Sequence, residues 1–415
     1  MTYRQSPPYL GDQKNLSQVM IVGGGIAGLS LAYHFIAKKT PFRLYCDPQD
    51  ALSASTIAQG VATLKGYHLA RDQTFLAKMQ GHRELLKIMK NIQFNDVALQ
   101  VSELFPSKVS YNQQVERTYH RNFRGFCDVT TREISDQSRG NDLYPVVHDY
   151  PHDYVFLPAK LMSCLFMYIK NSSFSYVCRE RFKPSDFLNM INSGVQSHVI
   201  LALGCHTKSW LKALGFISTG SDFFSPGIVA GGELGQEVVD PWLSYINAGV
   251  DHQSKSLWGF KQGSKSLRLM RVNGPGGPPY FHVSWGSYDS AKTDKIDCPV
   301  AKQGVTEGLR QLGSSFGLPL PSALLEQSGR VLSGVRYQGR KQRPIIGKLT
   351  LDQRLDPQQK MSLWVFAGFY KSGYSLAPWL SKAVVSQIVG DQWDQTVSES
   401  WIRADQQFQW VGNRV

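Results

Sequence analysis

The sequence predicts an α/β protein with two domains, one built on a parallel sheet and the other on a mixed sheet. A short apolar run, Val19–Val22, leads into a glycine-rich turn and then into an apolar helical pattern. Two further buried-strand patterns, His198–Gly204 and Leu363–Gly368, lie far along the chain and also end in glycine. The segments between these strands are basic and aromatic or rich in Gly and Pro, which is typical of insertions that form a second domain.

Length and composition describe a globular protein. The 415 residues are enough for two or three domain-sized cores. With 42% hydrophobic and 19% charged residues, the chain is neither disordered nor collagen-like. Lys and Arg number 45 against 32 Asp and Glu, a formal net charge of +13, which favours an anionic partner such as nucleic acid or an acidic membrane surface. A basic soluble protein without such a partner is the alternative.

Targeting and metal signals are missing from the sequence. The first residues lack the apolar core of a secretory signal, and no apolar run approaches the roughly 20 residues that span a bilayer. The six cysteines form neither a CxxC pair nor a Cys/His metal spacing. We therefore expect a cytoplasmic protein with no metal centre and no membrane partner.

The glycine-rich turn predicts a dinucleotide site. Gly23, Gly25 and Gly28 fit GxGxxG: the first makes the turn, the second lets a pyrophosphate approach, and the third packs helix against strand. With Ile26 and Ala27 they open a helix whose free N–H groups attract phosphate. A purely structural turn is the alternative. The motif alone does not separate FAD from NAD.

The second strand, Phe42–Cys46, completes the opening of a βαβ unit. An acid that binds the ribose is expected at its end, yet that position holds Cys46, and Asp47 follows. Hydroxyl residues and a glycine then follow, where a second phosphate-facing loop is expected. The candidate cofactor contacts of this region are Asp47, Ser55, Gln59 and Gly60.

These motifs resemble the FAD-dependent D-amino-acid oxidase/glycine oxidase family. Within it, the combination of Leu44-Tyr45-Cys46 with the Ser53–Gly60 loop is similar to the FAD-dependent half of the bifunctional enzymes of tRNA 5-methylaminomethyl-2-thiouridine biosynthesis, in which this strand also ends in Leu-Tyr-Cys. The resemblance covers most of the chain. It continues at His282–Tyr288, Gly334–Arg336, Pro344–Gly347 and Gly368–Pro378.

The resemblance implies FAD as cofactor and gives roles to several residues. It makes Arg336 the clamp for a substrate carboxylate, which suits the planar fork of a guanidinium. It places Gly368–Tyr374 at the flavin edge where negative charge builds on reduction, with Lys371 as an added cation. Tyr288 is a candidate on the substrate face. The alternatives are a surface role for Arg336, a solvated Lys371 and a core-packed Tyr288. The later cofactor contacts are Gly204, Gly368, Tyr370, Lys371, Ser372, Gly373 and Tyr374.

The predicted domains follow from the same motifs. A Rossmann-like FAD-binding domain is expected from residues 1–90, 151–214 and 331–415. A mixed-sheet α+β substrate domain is expected from residues 91–150 and 215–330.

The expected function is oxidation of the C–N bond of a carboxylate-bearing amine, with carboxymethylaminomethyluridine at the tRNA wobble position as the favoured substrate. Oxidation of glycine or another small amino acid is the first alternative, and a flavin-binding protein without turnover is the second. A separate methyltransferase would have to complete the tRNA modification. A basic, aromatic stretch suits phosphate contact and base stacking, although a solvated face is the alternative. Its residues are Lys108, Arg117, Arg121 and Arg124, with Tyr111, Tyr119, Phe123 and Phe126 between them.

Overall fold

A computed structural model gives the fold. It describes residues 18–47, 54–57, 60–62, 73–105, 130–133, 146–194, 196–219, 223–234, 257–262, 265–272, 280–288, 307, 310, 311, 313–315, 331–338, 344–353, 355–358, 360–369, 372–391 and 404–411. By its contacts the chain divides into two compact units. The first comprises Met1–Ser53, Met162–Phe223 and Arg336–Val415, and the second comprises Ala54–Leu161 and Phe224–Val335.

The described residues form strands and helices in the following order. The strands are β1 Gln18–Val22, β2 Phe42–Tyr45, β3 Val61–Ala62, β4 Val97–Phe105, β5 Thr130–Glu133, β6 Val146–Phe156, β7 Ser175–Cys178, β8 Ser197–Leu201, β9 Phe216–Ser218, β10 Phe223–Leu234, β11 Leu257–Gln262, β12 Lys265–Val272, β13 Tyr280–Tyr288, β14 Val331–Gln338, β15 Ile345–Leu349, β16 Met361–Ala367 and β17 Phe408–Trp410. The helices are α1 Ile26–Ala37, α2 Ala54–Ile57, α3 Gln73–Asn91, α4 Pro158–Lys170, α5 Pro184–Ser193, α6 Thr207–Ala213, α7 Gly373–Ile388 and α8 Ala404–Gln407.

The first unit is built on a six-stranded sheet in the order β15-β16-β8-β1-β2-β7. Its neighbouring strands are parallel except at β15, which runs antiparallel to β16. The register pairs Val22 with both Tyr45 and Leu201, so β1, β2 and β8 reach the same edge with their carboxyl ends. In open parallel sheets this edge is where ligands bind.

Helices cover both faces of this sheet. On one face the ring centroids of Phe35 in α1 and Phe42 in β2 lie 5.9 Å apart, and α7 packs along α1. Arg43 and Tyr45 point to the opposite face because side chains alternate along a strand. There the ring of Tyr45 meets Phe182, just before α5, with centroids 4.9 Å apart.

The second unit carries a nine-stranded mixed sheet. Its order is β14-β10-β13-β12-β11-β4-β6-β3, with β5 paired to β6. Most described pairings are antiparallel, and β11 with β4 is parallel. Helix α3 belongs to this unit, and its buried His82 accepts a hydrogen bond at its main-chain oxygen from the Tyr154 hydroxyl of β6, at 3.0 Å.

The predicted α/β fold class is confirmed. The three strands that lead into glycine, β1, β8 and β16, are neighbours in the sheet of the first unit. Helix α7 begins at Gly373, within the Gly368–Tyr374 segment. Residues 374–381 are buried all round the helix, so no polar face reveals the helical period. The predicted domain boundaries remain a prediction.

Candidate functional site

The turn between β1 and α1 requires glycine at two positions. Gly23 has φ +125°, and its N–H donates to the main-chain oxygen of Tyr45 at 2.8 Å. A Cβ at Gly23 would overlap the main-chain oxygen of Ala202, and one at Gly28 would overlap that of Gly23. The turn is therefore wedged between the carboxyl ends of β2 and β8, with the start of α1 directly against it.

The start of α1 has no side-chain cap. Its N-cap, Gly25, supplies no side-chain hydrogen bond, and the first turn contains no acidic residue. The first N–H groups of a helix have no intrahelical partner, and the helix dipole favours negative charge beside them. A short turn and a helix start of this kind suit a pyrophosphate. The cofactor contacts of Gly23, Gly25, Ile26, Ala27 and Gly28 remain predictions.

The end of β2 departs from the usual ribose site. The N–H of Cys46 donates to the main-chain oxygen of Cys178 at 3.0 Å, and its Sγ lies 3.8 Å from the same oxygen. A Cβ at Gly24 would lie 2.9 Å from the Cβ of Cys46. Cys46 is 9% exposed and fills the space beside the glycine turn. A longer acidic side chain at this position would not fit in that space and would have to point in another direction. Asp47 is half-buried next to it, and its contact with a ribose remains a prediction.

The start of α7 lies against the start of α1. Ser372 is its N-cap and makes no side-chain capping bond, and the first turn has no acidic residue. A Cβ on Gly373 would lie 3.3 Å from Cγ2 of Ile26, so the first residues of the two helices are in contact. Gly368, with φ +74°, ends β16 just before this segment. The N-termini of α1 and α7 therefore lie side by side in the first unit.

Tyr374 and Gly204 complete the described residues of this region. Tyr374 is buried in the first turn of α7, and burial raises the pKa of its phenol well above the ordinary value, so its hydroxyl stays protonated. Gly204 follows β8 with φ +55°, and a Cβ there would have no atom within 4 Å. Gly204 is thus an exposed residue beyond the carboxyl end of β8, with open space beside it.

The remaining predicted residues are only partly described. Ser55 is half-buried in α2. Gly60 has φ +61°, its main-chain oxygen accepts from the N–H of Phe156 at 2.9 Å, and a Cβ would overlap the Phe156 oxygen. This packing accounts for glycine at position 60, and both cofactor contacts remain predictions.

For the candidate residues on the substrate face, the structure describes either the backbone alone or no part of the residue. Arg336 lies in β14 and Tyr288 ends β13, on either side of β10 in the nine-stranded sheet. Their side chains fall outside the structural description. Gln59, Tyr370 and Lys371 lie outside the described residues, as does the basic stretch of Lys108, Arg117, Arg121 and Arg124.

Metal clusters and membrane-spanning helices are absent from the described residues. Within them, no group of three His, Cys, Asp or Glu side chains is arranged to hold a metal ion. No helix in the same part of the chain has the length and apolar character needed to cross a membrane.

Comparison with solved structures identifies the fold. Iminodiacetate oxidase from Chelativorans sp. BNC1 superposes with a TM-score of 0.62 at 14% identity, covering 92% of this chain and 98% of that one. Glycine oxidase from Geobacillus kaustophilus gives 0.61 at 14% identity, covering 91% and 96%. NikD, an unusual amino acid oxidase essential for nikkomycin biosynthesis, gives 0.62 at 12% identity, covering 96% and 100%.

The chain has the fold of these amino-acid oxidases. The likeness extends over nearly the full length of each. No protein-family model matches the sequence, and no curated protein is significantly similar to it.

Sequence reasoning missed one part of the first unit, a cleft on the sheet face opposite α1. Arg43 and Tyr45 line it from β2, and Arg181 and Phe182 line it from the segment before α5. The available signal was the alternation in Phe42-Arg43-Leu44-Tyr45, because alternate residues of a strand share a face and this places Arg43 and Tyr45 together.

Proposed function

We propose that the chain is an FAD-dependent oxidoreductase that oxidises the C–N bond of an amine carrying a carboxylate. The observation that carries the proposal is the close approach of Ile26 and Gly373, which brings the N-termini of α1 and α7 together beside a glycine turn. Such a pair offers N–H groups to two anionic parts of one ligand. The amino-acid oxidases of the same fold support this choice.

The residues present fit FAD. The glycine turn and the start of α1 would hold the pyrophosphate, since Cβ atoms at Gly23 and Gly28 would close the turn. The start of α7, with Ser372 and Gly373, would face the flavin edge that becomes negative on reduction. When bound, FAD would supply the redox chemistry: it would accept a hydride, which carries two electrons, from the carbon beside the amine nitrogen, and dioxygen would then take up these electrons.

The protein's own contribution is orientation and electrostatics. Arg336 would bind the substrate carboxylate with two parallel hydrogen bonds and so fix which carbon is presented for oxidation. Lys371 would add positive charge at the start of α7, and Tyr288 would line the substrate face. Oxidation of the neutral amine would give an imine, which water would then hydrolyse.

The favoured substrate is carboxymethylaminomethyluridine at the wobble position of tRNA. Oxidation of its N–CH2 bond on the carboxylate side gives an imine, and hydrolysis then leaves aminomethyluridine and releases glyoxylate. The net charge of +13 supports a polyanionic substrate. Any later methylation would require a separate methyltransferase.

The alternative is an oxidase of glycine or a similar small amino acid, with the same role for Arg336. Two of the structural neighbours are an iminodiacetate oxidase and a glycine oxidase, which favours this alternative. A flavin-binding protein without turnover is the second alternative, and it would retain the helix-start pair but reduce no flavin.

Anaerobic reduction of the bound flavin separates these functions. The purified protein is mixed without oxygen with tRNA carrying carboxymethylaminomethyluridine, and separately with glycine, sarcosine and iminodiacetate, while flavin absorbance is followed. Fast bleaching by the modified tRNA, with none by unmodified tRNA, is the expected result. Bleaching by free glycine alone establishes the small-amino-acid oxidase, and no bleaching by any amine favours the binding protein. A colourless protein that binds nicotinamide nucleotides contradicts all three.

A further inference from the structure

A cleft of about 330 Å³ lies on the face of the six-stranded sheet that is turned away from α1. We name it the β2–α5 cleft, because Arg43 and Tyr45 of β2 line one side and Asp186 of α5 lines the other. Its volume is near the lower end of small-molecule sites. The glycine turn and the start of α7 do not line it, so it is separate from the candidate cofactor site.

The lining of the cleft includes two arginines. Arg43 lies on the strand with its guanidinium carbon 5.8 Å from the ring centroid of Tyr176, which limits its freedom. Arg181 lies on the exposed segment before α5 and also lines the cleft. Two guanidinium groups at one cleft supply the paired donors that bind a phosphate.

The floor of the cleft is apolar and aromatic. Met20 of β1 is 2% exposed and lies beneath it, and Tyr45 packs on Phe182 with ring centroids 4.9 Å apart. Trp210 stacks behind Phe182, with their ring planes at 16°, so the floor is supported from below. A planar heterocycle would bury its face against this surface at little cost in conformational entropy.

The cleft also carries acceptors that a simple anion would not use. Asp186 accepts at Oδ2 from the N–H of Lys183 at 2.7 Å, which caps α5 and fixes the carboxylate in place. Glu180 lines the cleft from the exposed side. The Tyr45 phenol is a hydrogen-bond donor at neutral pH, as it is at its ordinary pKa; burial and Cys178 raise that pKa, and a hydrogen bond with Arg43 opposes the rise. A base with exocyclic amino groups would find acceptors and a donor here.

We propose that the β2–α5 cleft binds a nucleoside monophosphate unit. Arg43 and Arg181 hold the phosphate, and the base packs over Met20 and Tyr45 with its amino group towards the carboxylates. The mixed charge distinguishes this ligand from inorganic phosphate, which would face Glu180 and Asp186 unfavourably. The unit comes either from a free nucleotide or from an RNA chain. Its binding is independent of the proposed oxidation.

Binding is measured by calorimetry on the FAD-loaded protein, with adenosine monophosphate, inorganic phosphate and a short single-stranded oligoadenylate as probes. We expect adenosine monophosphate to bind, and Arg43→Gln and Arg181→Gln each to weaken it by about tenfold or more. The matched control is Arg179→Gln. The Arg179 guanidinium lies 5.7 Å from the Phe166 ring centroid and does not line the cleft. The affinity of this variant for adenosine monophosphate should therefore stay within about twofold of that of the parent protein.

The three probes test the proposal and distinguish the two possible sources of the ligand. Tighter binding of the oligoadenylate, with competition by the mononucleotide, indicates a nucleotide within RNA; binding of the mononucleotide alone indicates a free nucleotide. The proposal is overturned if neither binds, if inorganic phosphate binds as tightly, or if both arginine variants bind like the parent. Release of FAD by the mononucleotide also overturns it, because the nucleotide would then occupy the cofactor site. Because Arg181 is exposed, its variant provides the test even if Arg43→Gln fails to fold.

Discussion

The Nε2 atom of His34 lies 2.8 Å from the main-chain oxygen of Pro378, although the two residues are 344 positions apart. His34 is buried in the last turn of α1, and Pro378 lies inside α7. Because proline has no N–H, the α7 turn before it lacks one intrahelical hydrogen bond. The His34 bond therefore ties the first part of α7 to α1, whose own start lies against Gly373.

Removal of the His34 donor should loosen the start of α7. We expect His34→Leu to lower the free energy of unfolding by about 1–3 kcal/mol and to weaken FAD binding, while His34→Gln, which retains a donor, keeps part of both. Urea unfolding and flavin fluorescence on titration of the apoprotein measure the two effects. Ser381→Ala removes another donor to the same oxygen, at 2.9 Å, without changing α1, and serves as the control. FAD affinity unchanged in His34→Leu would contradict a positioning role.

The glycine turn should tolerate no side chain at Gly28. A Cβ there overlaps the backbone of Gly23, so Gly28→Ala should abolish FAD binding and destabilise the first unit. Gly390 is the matched control: it has φ +82° and open space around a Cβ, so Gly390→Ala should cost only about 1–2 kcal/mol of backbone strain and retain FAD. Flavin content after purification and thermal unfolding distinguish the two variants. Full FAD occupancy in Gly28→Ala would be evidence against the site.

The sequence predicted the local parts of this site and missed the tertiary ones. In the strand, turn and helix at residues 19–35, the spacing of the apolar residues within a short window of sequence is enough to predict each element. The start of α7 has no such signal, because its first two turns are buried on every side. The β2–α5 cleft joins Arg43 to Arg181 and Asp186 from distant segments, so only the folded sheet brings them together. The role of Cys46 was visible only through a resemblance, since its neighbours Gly24 and Cys178 are remote in sequence.

Arg336 should be essential for carboxylated amines and unimportant for the cofactor. Loss of a bidentate charged contact in a desolvated site typically costs about 2–5 kcal/mol, so Arg336→Ala should lower kcat/KM by at least about 30-fold with FAD content unchanged. Arg336→Lys should recover only part, because an ammonium lacks the planar fork. Arg310→Ala is the control, since Arg310 is exposed and pairs with Glu307 at 2.8 Å. Parent-like kinetics in Arg336→Ala would assign the clamp elsewhere.

Binding of tRNA should depend steeply on salt. If the basic stretch contacts phosphates, counterion release makes the logarithm of the binding constant fall linearly with that of the salt concentration. Charge reversal at Arg121 and Arg124 should weaken binding and reduce the slope. Filter binding at several salt concentrations gives both quantities, and reversal at the exposed Lys212 is the comparison. A flat salt response would favour the small-amino-acid oxidase.

His198 should make the protein less stable as the pH falls below about 6.5. Burial lowers the pKa of this half-buried histidine of β8, and the charge of Lys348 lowers it further. Below the pKa of the unfolded state, the unfolded chain takes up a proton that the folded chain does not, so the free energy of unfolding falls as the pH drops towards the folded pKa. His198→Gln should remove this part of the acid loss, and Lys348→Met should reduce it. Urea unfolding between about pH 7.5 and about pH 5.5, which is about one unit on either side of the unperturbed pKa, measures the slope. The exposed His206, replaced by Gln, is the control, and an identical slope in His198→Gln and the parent would assign the acid sensitivity to other groups.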